Sequence, residues 1–376
     1  MKHTLHTSHD SAAAMPPNEA ANGKNVILSV KDLEVKFQVR GKELTAIRNI
    51  SLDFEEGKVL AIVGESGSGK SVFTKTFTGM LESNGRVSNG EIWFEGANLA
   101  ANRSDRDWNE IRGKKIATVF QDPMTSLNPV RTIGYQISEV IMKHQGKSKK
   151  EAKELAIDLM ARVGIRDAAK RYDEYPFMYS GGMRQRIVIA IALACRPRIL
   201  ICDEPTTALD VTIQAQIIEL IKELAEEYRF TTIYITHDLG VVAKVADQVA
   251  VMYAGQIVEY GSIEEVFYDP RHPYTWGLLS SLPQLGEDGQ ELYAIDGTPP
   301  SLFEEIKGDA FAPRNEYAMK IDFEIEPPMF EVSPTHFAKT WLEDPRAPHV
   351  EKPVIIQNLH EKLLALTSKG GVYGGE

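Results

Sequence analysis

VLAIVGESGSGKS, residues 59–71, decides how the rest of the chain is read. Val59 to Val63 form an uninterrupted apolar run, the signature of a strand buried on both faces. A glycine-rich turn follows, and a helical stretch runs from Ser71 to Met80. The turn, Gly64-Glu65-Ser66-Gly67-Ser68-Gly69-Lys70-Ser71, is an unbroken G-x-x-x-x-G-K-S in the strand, loop and helix context that the motif requires. It reads as a phosphate cradle. Glycines at 64, 67 and 69 let the backbone approach closely, so that successive N–H groups and the helix N-terminus face an anion. Lys70 is placed to reach the β- and γ-phosphates of a nucleoside triphosphate, and the Ser71 hydroxyl to ligate Mg²⁺.

Outward from this loop, strand-like and helix-like stretches alternate. Upstream, ILSVKDLEVKFQV and ELTAIRNISLDF alternate apolar with polar residues from Val26 to about Phe54, the period-two pattern of an antiparallel β-layer. Downstream come strand-like EIWFEG and KIATVFQ, then a helical block from Ile133 to Val163 in which Ser148 and Glu151 have the spacing of a capping box. The helix MRQRIVIAIALAC leads into RILICDEP; the helix IQAQIIELIKELAEEY precedes the strand TTIYITHD; QVAVMYAG and QIVEYG follow. This order implies an α/β fold with a parallel sheet, ligands at the carboxyl ends of its strands, and an inserted helical subdomain at about 124–180. Residues 25–283 form the main domain. Beyond it, 284–376 is Pro-rich and irregular (GTPPSLFEEI, EIEPPMFEVSP) and reads as a small appendage, while residues 1–24 have no apolar core that could serve as a secretory signal and read as a disordered tail.

ILIC ends on Asp203-Glu204, so one strand delivers two adjacent carboxylates to the ligand edge of the sheet. Asp203 is placed to hold the magnesium shell and Glu204 to polarise an attacking water. Ser180-Gly181-Gly182-Met183-Arg184-Gln185 opens a helix and offers a second anion site through the Ser180 hydroxyl and the N–H groups of Gly181 and Gly182.

Composition narrows the class. The chain has 376 residues, 43% of them hydrophobic and 25% charged, and a formal net charge of −11, which argues against a surface built for nonspecific nucleic-acid binding. No apolar run reaches the roughly 18 residues of a membrane span. Cys195 and Cys202 lie in the apolar runs IALAC and ILIC, where a thiol behaves as a small hydrophobe.

These motifs, in this order, make the chain resemble the ATP-binding-cassette (ABC) ATPases, a P-loop NTPase family with a RecA-like core; their signature LSGGQ or LSGGM stands where this chain has Tyr179-Ser180-Gly181-Gly182-Met183. The resemblance implies that ATP binds with Mg²⁺. Gln121 in VFQDP matches the glutamine that touches magnesium and the attacking water. Asp210, with Ala208 and Leu209, matches the loop crossing a dimer interface, and His237 in ITHD matches the histidine at the γ-phosphate. Gln185 belongs to the signature segment that completes a partner's ATP site. Phe37, in LEVKF, is either the aromatic that stacks on adenine or a core aromatic.

QDPMTSLNP and RHPYTWGLLSSLP narrow the likeness to the peptide and nickel importers, specifically to a D-type ATPase of an oligopeptide permease. That likeness implies a homologous F-type ATPase as partner, two transmembrane permease subunits, an external peptide-binding protein, and a peripheral place on the cytoplasmic side of the plasma or inner membrane; the alternatives are a nickel or other small-solute importer, or a non-transport ABC ATPase acting on nucleic acid. Many relatives hold an iron–sulfur cluster in the appendage on four cysteines. Here Asp309, Asn315, Asp322 and Thr340 stand in those places, and oxygen side chains suit a soft iron–sulfur centre poorly, so no cluster is expected. The aromatics Phe303, Phe311, Tyr317, Phe323, Phe330, Phe337 and Trp341 are numerous enough to form a small core, so the appendage is expected to be ordered without metal and to dock on its own cassette or on the partner subunit.

Overall fold

The computed structural model describes residues 25–101, 104–207, 209–281 and 295–357. The expected tail (1–24), the boundary near 283 and residue Ala208 lie outside them. Among the described residues the first strands are β1 (Val26–Val39), β2 (Lys42–Glu55), β3 (Val59–Val63), β4 (Gly85–Phe94), β5 (Ala97–Asn98) and β6 (Ile116–Val119). They are followed by β7 (Ile199–Asp203), β8 (Thr231–Ile235), β9 (Gln248–Tyr253), β10 (Gln256–Ser262), β11 (Phe330–Ser333) and β12 (His336–Ala338). The helices of the first half are α1 (Lys70–Lys75), α2 (Asp105–Ile111), α3 (Pro123–Ser126), α4 (Ile133–Gln145), α5 (Lys149–Arg162) and α6 (Ala168–Arg171). Those of the second are α7 (Gly181–Leu193), α8 (Val211–Tyr228), α9 (Leu239–Val245), α10 (Ile263–Tyr268), α11 (Pro273–Ser280) and α12 (Val354–Gln357).

Strands β6, β7, β8, β3 and β9 lie side by side, all parallel. Their near-continuous burial follows from the apolar runs: every residue of Leu200 to Cys202, Thr231 to Ile235 and Leu60 to Val63 is buried. The sheet is not parallel throughout. β10 turns back on β9 through Ala254 and Gly255, both with positive φ, and pairs with it antiparallel. The separate layer β2-β1-β4-β5 is antiparallel, as the alternation in residues 26–54 implies.

Apolar contacts fix where the site sits. Phe73 on α1 lies 6.4 Å from Phe54 of β2 and 5.0 Å from Phe77, all three fully buried, so the helix that ends the phosphate loop is anchored under the antiparallel layer. On the other face, α4, α5, α7 and α8 bury Ile137, Ile141, Ala156, Ile187 and Ile217 together with Leu200 and Cys202. Burial pushes the Cys202 thiol far above its usual pKa, consistent with a hydrophobic role. Helix α4 stops at Gly146 (φ 64°), and α5 restarts with the capping box of Ser148 and Glu151.

The appendage docks on its own cassette. β12 pairs antiparallel with β10 (Glu259 opposite Ala338, Tyr260 opposite Phe337), and β11 completes a hairpin outside it. Glu259, fully buried, accepts hydrogen bonds from the N–H groups of Arg271 (2.7 Å) and His272 (3.0 Å) and bonds His336 Nε2 at 2.8 Å. Docking on the cassette is one of the two placements expected for the appendage, but its aromatic residues do not gather into one small core. Phe303 and Phe323 are exposed at 45% and 56%. The others mostly pair with the cassette: Phe337 with Tyr260, Tyr317 with Trp276, and the deeply buried Phe311 with Tyr253 and Tyr274. A segment with so little regular structure gains more by burying its rings against a finished sheet than against itself.

Candidate nucleotide-binding and hydrolysis site

The loop from Gly64 to Gly69 joins β3 to α1, with Gly64, Gly67 and Gly69 at φ of 148°, 81° and 104°. These glycines do not all serve one end. A Cβ on Gly64 would lie 2.1 Å from the Met252 carbonyl oxygen, and one on Gly69 2.9 Å from that of Ala46, whereas Gly67 faces open space. Two of the three are therefore demanded by packing as well as by backbone conformation. Lys70 is 6% exposed and donates to the carbonyls of Gly64 (2.8 Å) and Glu65 (2.9 Å). Burial lowers its pKa against the opposing pull of Glu204, Asp203 and Glu65. The Glu65 N–H donates to the Tyr274 hydroxyl at 2.8 Å, and the Ser68 carbonyl accepts from the Gly255 N–H at 2.9 Å.

The Ser71 hydroxyl donates to Asp203 Oδ1 at 2.9 Å. Burial, with Glu204 alongside, raises the Asp203 pKa, while Ser71 and the two lysines Lys75 and Lys70 oppose. A hydroxyl and a carboxylate side by side are hard oxygen donors of the kind that Mg²⁺ takes, so these residues fit that ion. Glu204 follows with φ +48°, a left-handed conformation that a glutamate adopts at a cost of order 1–3 kcal/mol. Its carboxylate accepts from Gln121 Nε2 (3.2 Å) and from the Thr207 hydroxyl (3.0 Å) on one oxygen and bonds His237 Nδ1 (3.3 Å) on the other. Sequence reasoning placed Gln121, Glu204 and His237 in one site, and the fold brings them together. It missed Thr207, whose only signal was its place three residues beyond Glu204.

Ser180 caps α7, its hydroxyl accepting from the Met183 N–H at 3.4 Å, and lies exposed with Gly181. Gly182 is buried, and a Cβ there would meet Ile213 of α8 at 2.5 Å. Gln185 is a correction. It is completely buried within α7, with neither side-chain polar atom bonded among the described residues, and it presents no surface to a nucleotide in this structure. One turn into a helix, the motif has already rotated from solvent to core. Asp210 is exposed and caps α8 through the Ile213 N–H at 3.0 Å. Phe37 is corrected as well: it is 9% exposed in the core, its ring covering Gly85, which leaves the packing reading of the two offered.

In the appendage, Asp309, Asn315, Asp322 and Thr340 are all buried, and each carries an oxygen that accepts a nearby backbone N–H, from Phe311 (2.9 Å), Tyr317 (3.0 Å), Met319 (2.6 Å) and Leu342 (3.3 Å) respectively. Neutral and carboxylate oxygens so engaged do not fit an iron–sulfur cluster, which is held by thiolates.

A family model described as "ABC transporter" matches residues 47–207, and one described as "Oligopeptide/dipeptide transporter, C-terminal region" matches 258–321. The "Oligopeptide transport ATP-binding protein AmiE" of Streptococcus pneumoniae serotype 4 is 70% identical over 340 residues, 90% of this chain and 96% of that protein. The "Dipeptide transport ATP-binding protein DppD" of Lactococcus lactis subsp. cremoris is 58% identical over 325 residues, 86% and 93% of the two chains. Among solved structures, the ATP-binding cassette MJ0796, dimeric in a post-hydrolysis state with ADP and Pi, superposes with a TM-score of 0.56 at 27% identity, covering 63% of this chain and 98% of its own. The cassette fold, its phosphate loop and carboxylate pair, and relatives matched over nearly their full length agree: the chain belongs to the ATP-binding subunits of ABC transporters, in the oligopeptide and dipeptide branch.

Proposed function

We propose that this subunit hydrolyses MgATP and couples the reaction to the uptake of oligopeptides through a channel made by two transmembrane permease subunits. The observation that carries the reading is Glu204, held at the ligand edge of the sheet by Gln121, Thr207 and His237 and electrostatically linked to Lys70 of the phosphate loop. The backbone N–H groups of Gly64 to Ser71 and the Lys70 ammonium orient the phosphates. Ser71, Asp203 and Gln121 would hold Mg²⁺, which would supply positive charge against the phosphates. Glu204 accepts the proton of the attacking water as its oxygen bonds to the γ-phosphorus and the bond to the ADP oxygen breaks. His237 and Gln121 fix the Glu204 carboxylate during that transfer.

Ser180, exposed at the start of α7, completes the ATP site of a second cassette arranged head to tail, a homologous F-type subunit, so that ATP closes the pair and hydrolysis releases it. No helix among the described residues is long and apolar enough to cross a membrane. In this reading the chain acts from the cytoplasmic face through its permease partners, fed by an external peptide-binding protein. The test is Ser180→Arg in the assembled transporter: ATP-driven uptake of a labelled oligopeptide into proteoliposomes should stop, while the isolated chain keeps its affinity for MgATP. Persistent uptake overturns the composite site, and uptake of nickel rather than peptide by the wild-type complex favours the nickel reading.

A further inference from the structure

Arg314 belongs to the appendage, yet its guanidinium ends on the phosphate loop. It is separated from Glu65 by 249 positions in sequence, and its side chain is 5% exposed. Every N–H of the fork has an acceptor. Nε donates to the Asp296 carbonyl (2.8 Å); Nη1 to Glu65 Oε2 (2.9 Å) and the Tyr253 hydroxyl (3.2 Å); Nη2 to Glu65 Oε1 (3.1 Å) and the Ile295 carbonyl (3.2 Å). A guanidinium has five N–H donors in a rigid plane, and a two-point match to a carboxylate is its most directional interaction. Glu65 is the residue immediately after Gly64, and it is held at three places: its carboxylate by Arg314, its N–H by Tyr274, its carbonyl by Lys70.

The contact is not an isolated strut. Pro299, Pro300 and Leu302 of the appendage share a small hollow with Glu65, Ser66, Gly67 and Ser68, and the Leu302 carbonyl accepts from the Thr45 N–H at 3.1 Å. Phe311, three residues before Arg314, packs on Tyr253 and Tyr274, the two tyrosines that touch Arg314 and Glu65. The outer wall of the phosphate loop is thus built from the appendage.

Glu65 poses an electrostatic problem that Arg314 answers. A carboxylate in a loop whose function is to receive phosphates repels them, and in a partly buried setting that repulsion is weakly screened. We propose that Arg314 is a positioning residue for the nucleotide site, neutralising Glu65 and fixing the loop backbone so that docking of the appendage sets the affinity for the nucleotide's phosphates. This rests on the ATPase reading and deepens it.

The test is MgATP affinity of the full-length chain, by titration calorimetry, for wild type, Arg314→Ala, Glu65→Gln and the double variant. Loss of a bidentate charge-assisted contact predicts about 10-fold weaker binding or more for Arg314→Ala, and removal of the orphaned charge predicts that the double variant returns to within about 3-fold of wild type. Rescue by an uncharged Glu65 is what a purely structural tie would not give. Unchanged affinity in Arg314→Ala, or a loss that Glu65→Gln does not repair, overturns the proposal. Should Arg314→Ala lose its cooperative thermal melt, Arg314→Gln carries the same comparison. A wild-type chain that binds no MgATP would sink the function proposed above instead.

Discussion

Two pairs of acidic side chains in this molecule share a physical situation and differ in everything around them. Asp203 and Glu204 stand at the ligand edge of the sheet; Asp309 and Asp322 stand inside the appendage. Burial raises the pKa of Asp203, Asp309 and Asp322 alike. At the sheet edge, the carboxylates face a lysine, a serine hydroxyl, a glutamine and a histidine, all of them side chains from other elements of the fold. In the appendage, the carboxylates accept from the chain's own backbone N–H groups, and Asp309 Oδ2 has no hydrogen-bond partner among the described residues. Burial alone therefore says little about function. Which groups surround the carboxylate, titratable side chains or its own backbone, separates a reaction site from a folded turn.

The same chemical edit, carboxylate to amide, should have opposite signs in the two places. Glu204→Gln removes the proton acceptor and leaves the phosphate loop whole, so turnover of the assembled transporter should fall by about 10²- to 10⁴-fold with MgATP binding nearly unchanged. Steady-state phosphate release checks this, and near-normal turnover would erase the distinction. Asp309→Asn should instead stabilise the protein. Burial first, then the neighbouring charges of Asp322 and Glu326, push the Asp309 pKa up to about 6 from 3.8, so the folded chain favours the protonated form. Its ionisation weakens the fold as pH rises from about 4 to about 6, and the amide avoids a cost of at most about 3 kcal/mol above that window. Thermal or urea melts of the two proteins should coincide near pH 4 and separate by pH 7.5; a difference that is constant with pH would contradict the assignment. The smallest effect sharpens the reaction side. Thr207→Val deletes one hydrogen bond to Glu204 while keeping the shape, and should lower kcat by about 3- to 10-fold, roughly one hydrogen bond's worth, with KM for ATP little moved. A larger change in KM than in kcat would assign Thr207 to nucleotide binding.

Local chemistry was legible in the sequence, and contacts across long separations were not. Residues 59–71 declare a strand, an anion loop and a helix because each feature needs only neighbours within a few positions. The helix from Ser71 to Met80 was overextended. Regular α-helix ends at Lys75, and the chain passes into a tighter turn over Thr76 to Thr78 before Gly79 at φ 60°. Gln185 and Phe37 failed for a common reason: a position in a motif does not state which way its side chain points, and in both cases the side chain points into the core. Arg314 stands in the irregular appendage, where nothing nearby in sequence signals its contact. Its partner, Glu65, lies at the opposite end of the chain, and no periodicity or local spacing links them. Likewise, nothing in the aromatic count revealed that Phe311 would seat itself between Tyr253 and Tyr274 rather than among its neighbours in sequence.

Strand β12 has a role beyond anchoring the appendage. By lying along β10 it occupies a row of backbone donors and acceptors that would otherwise end the large sheet as a long, open border. Such a border is a template on which a second chain can polymerise. The hairpin passes the border on to β11, four residues long, broken by a register shift and carrying the exposed Glu331 outward. A cassette shortened before the appendage would keep its phosphate loop and its carboxylates and still be a poor protein to handle, because the edge left bare would invite self-association.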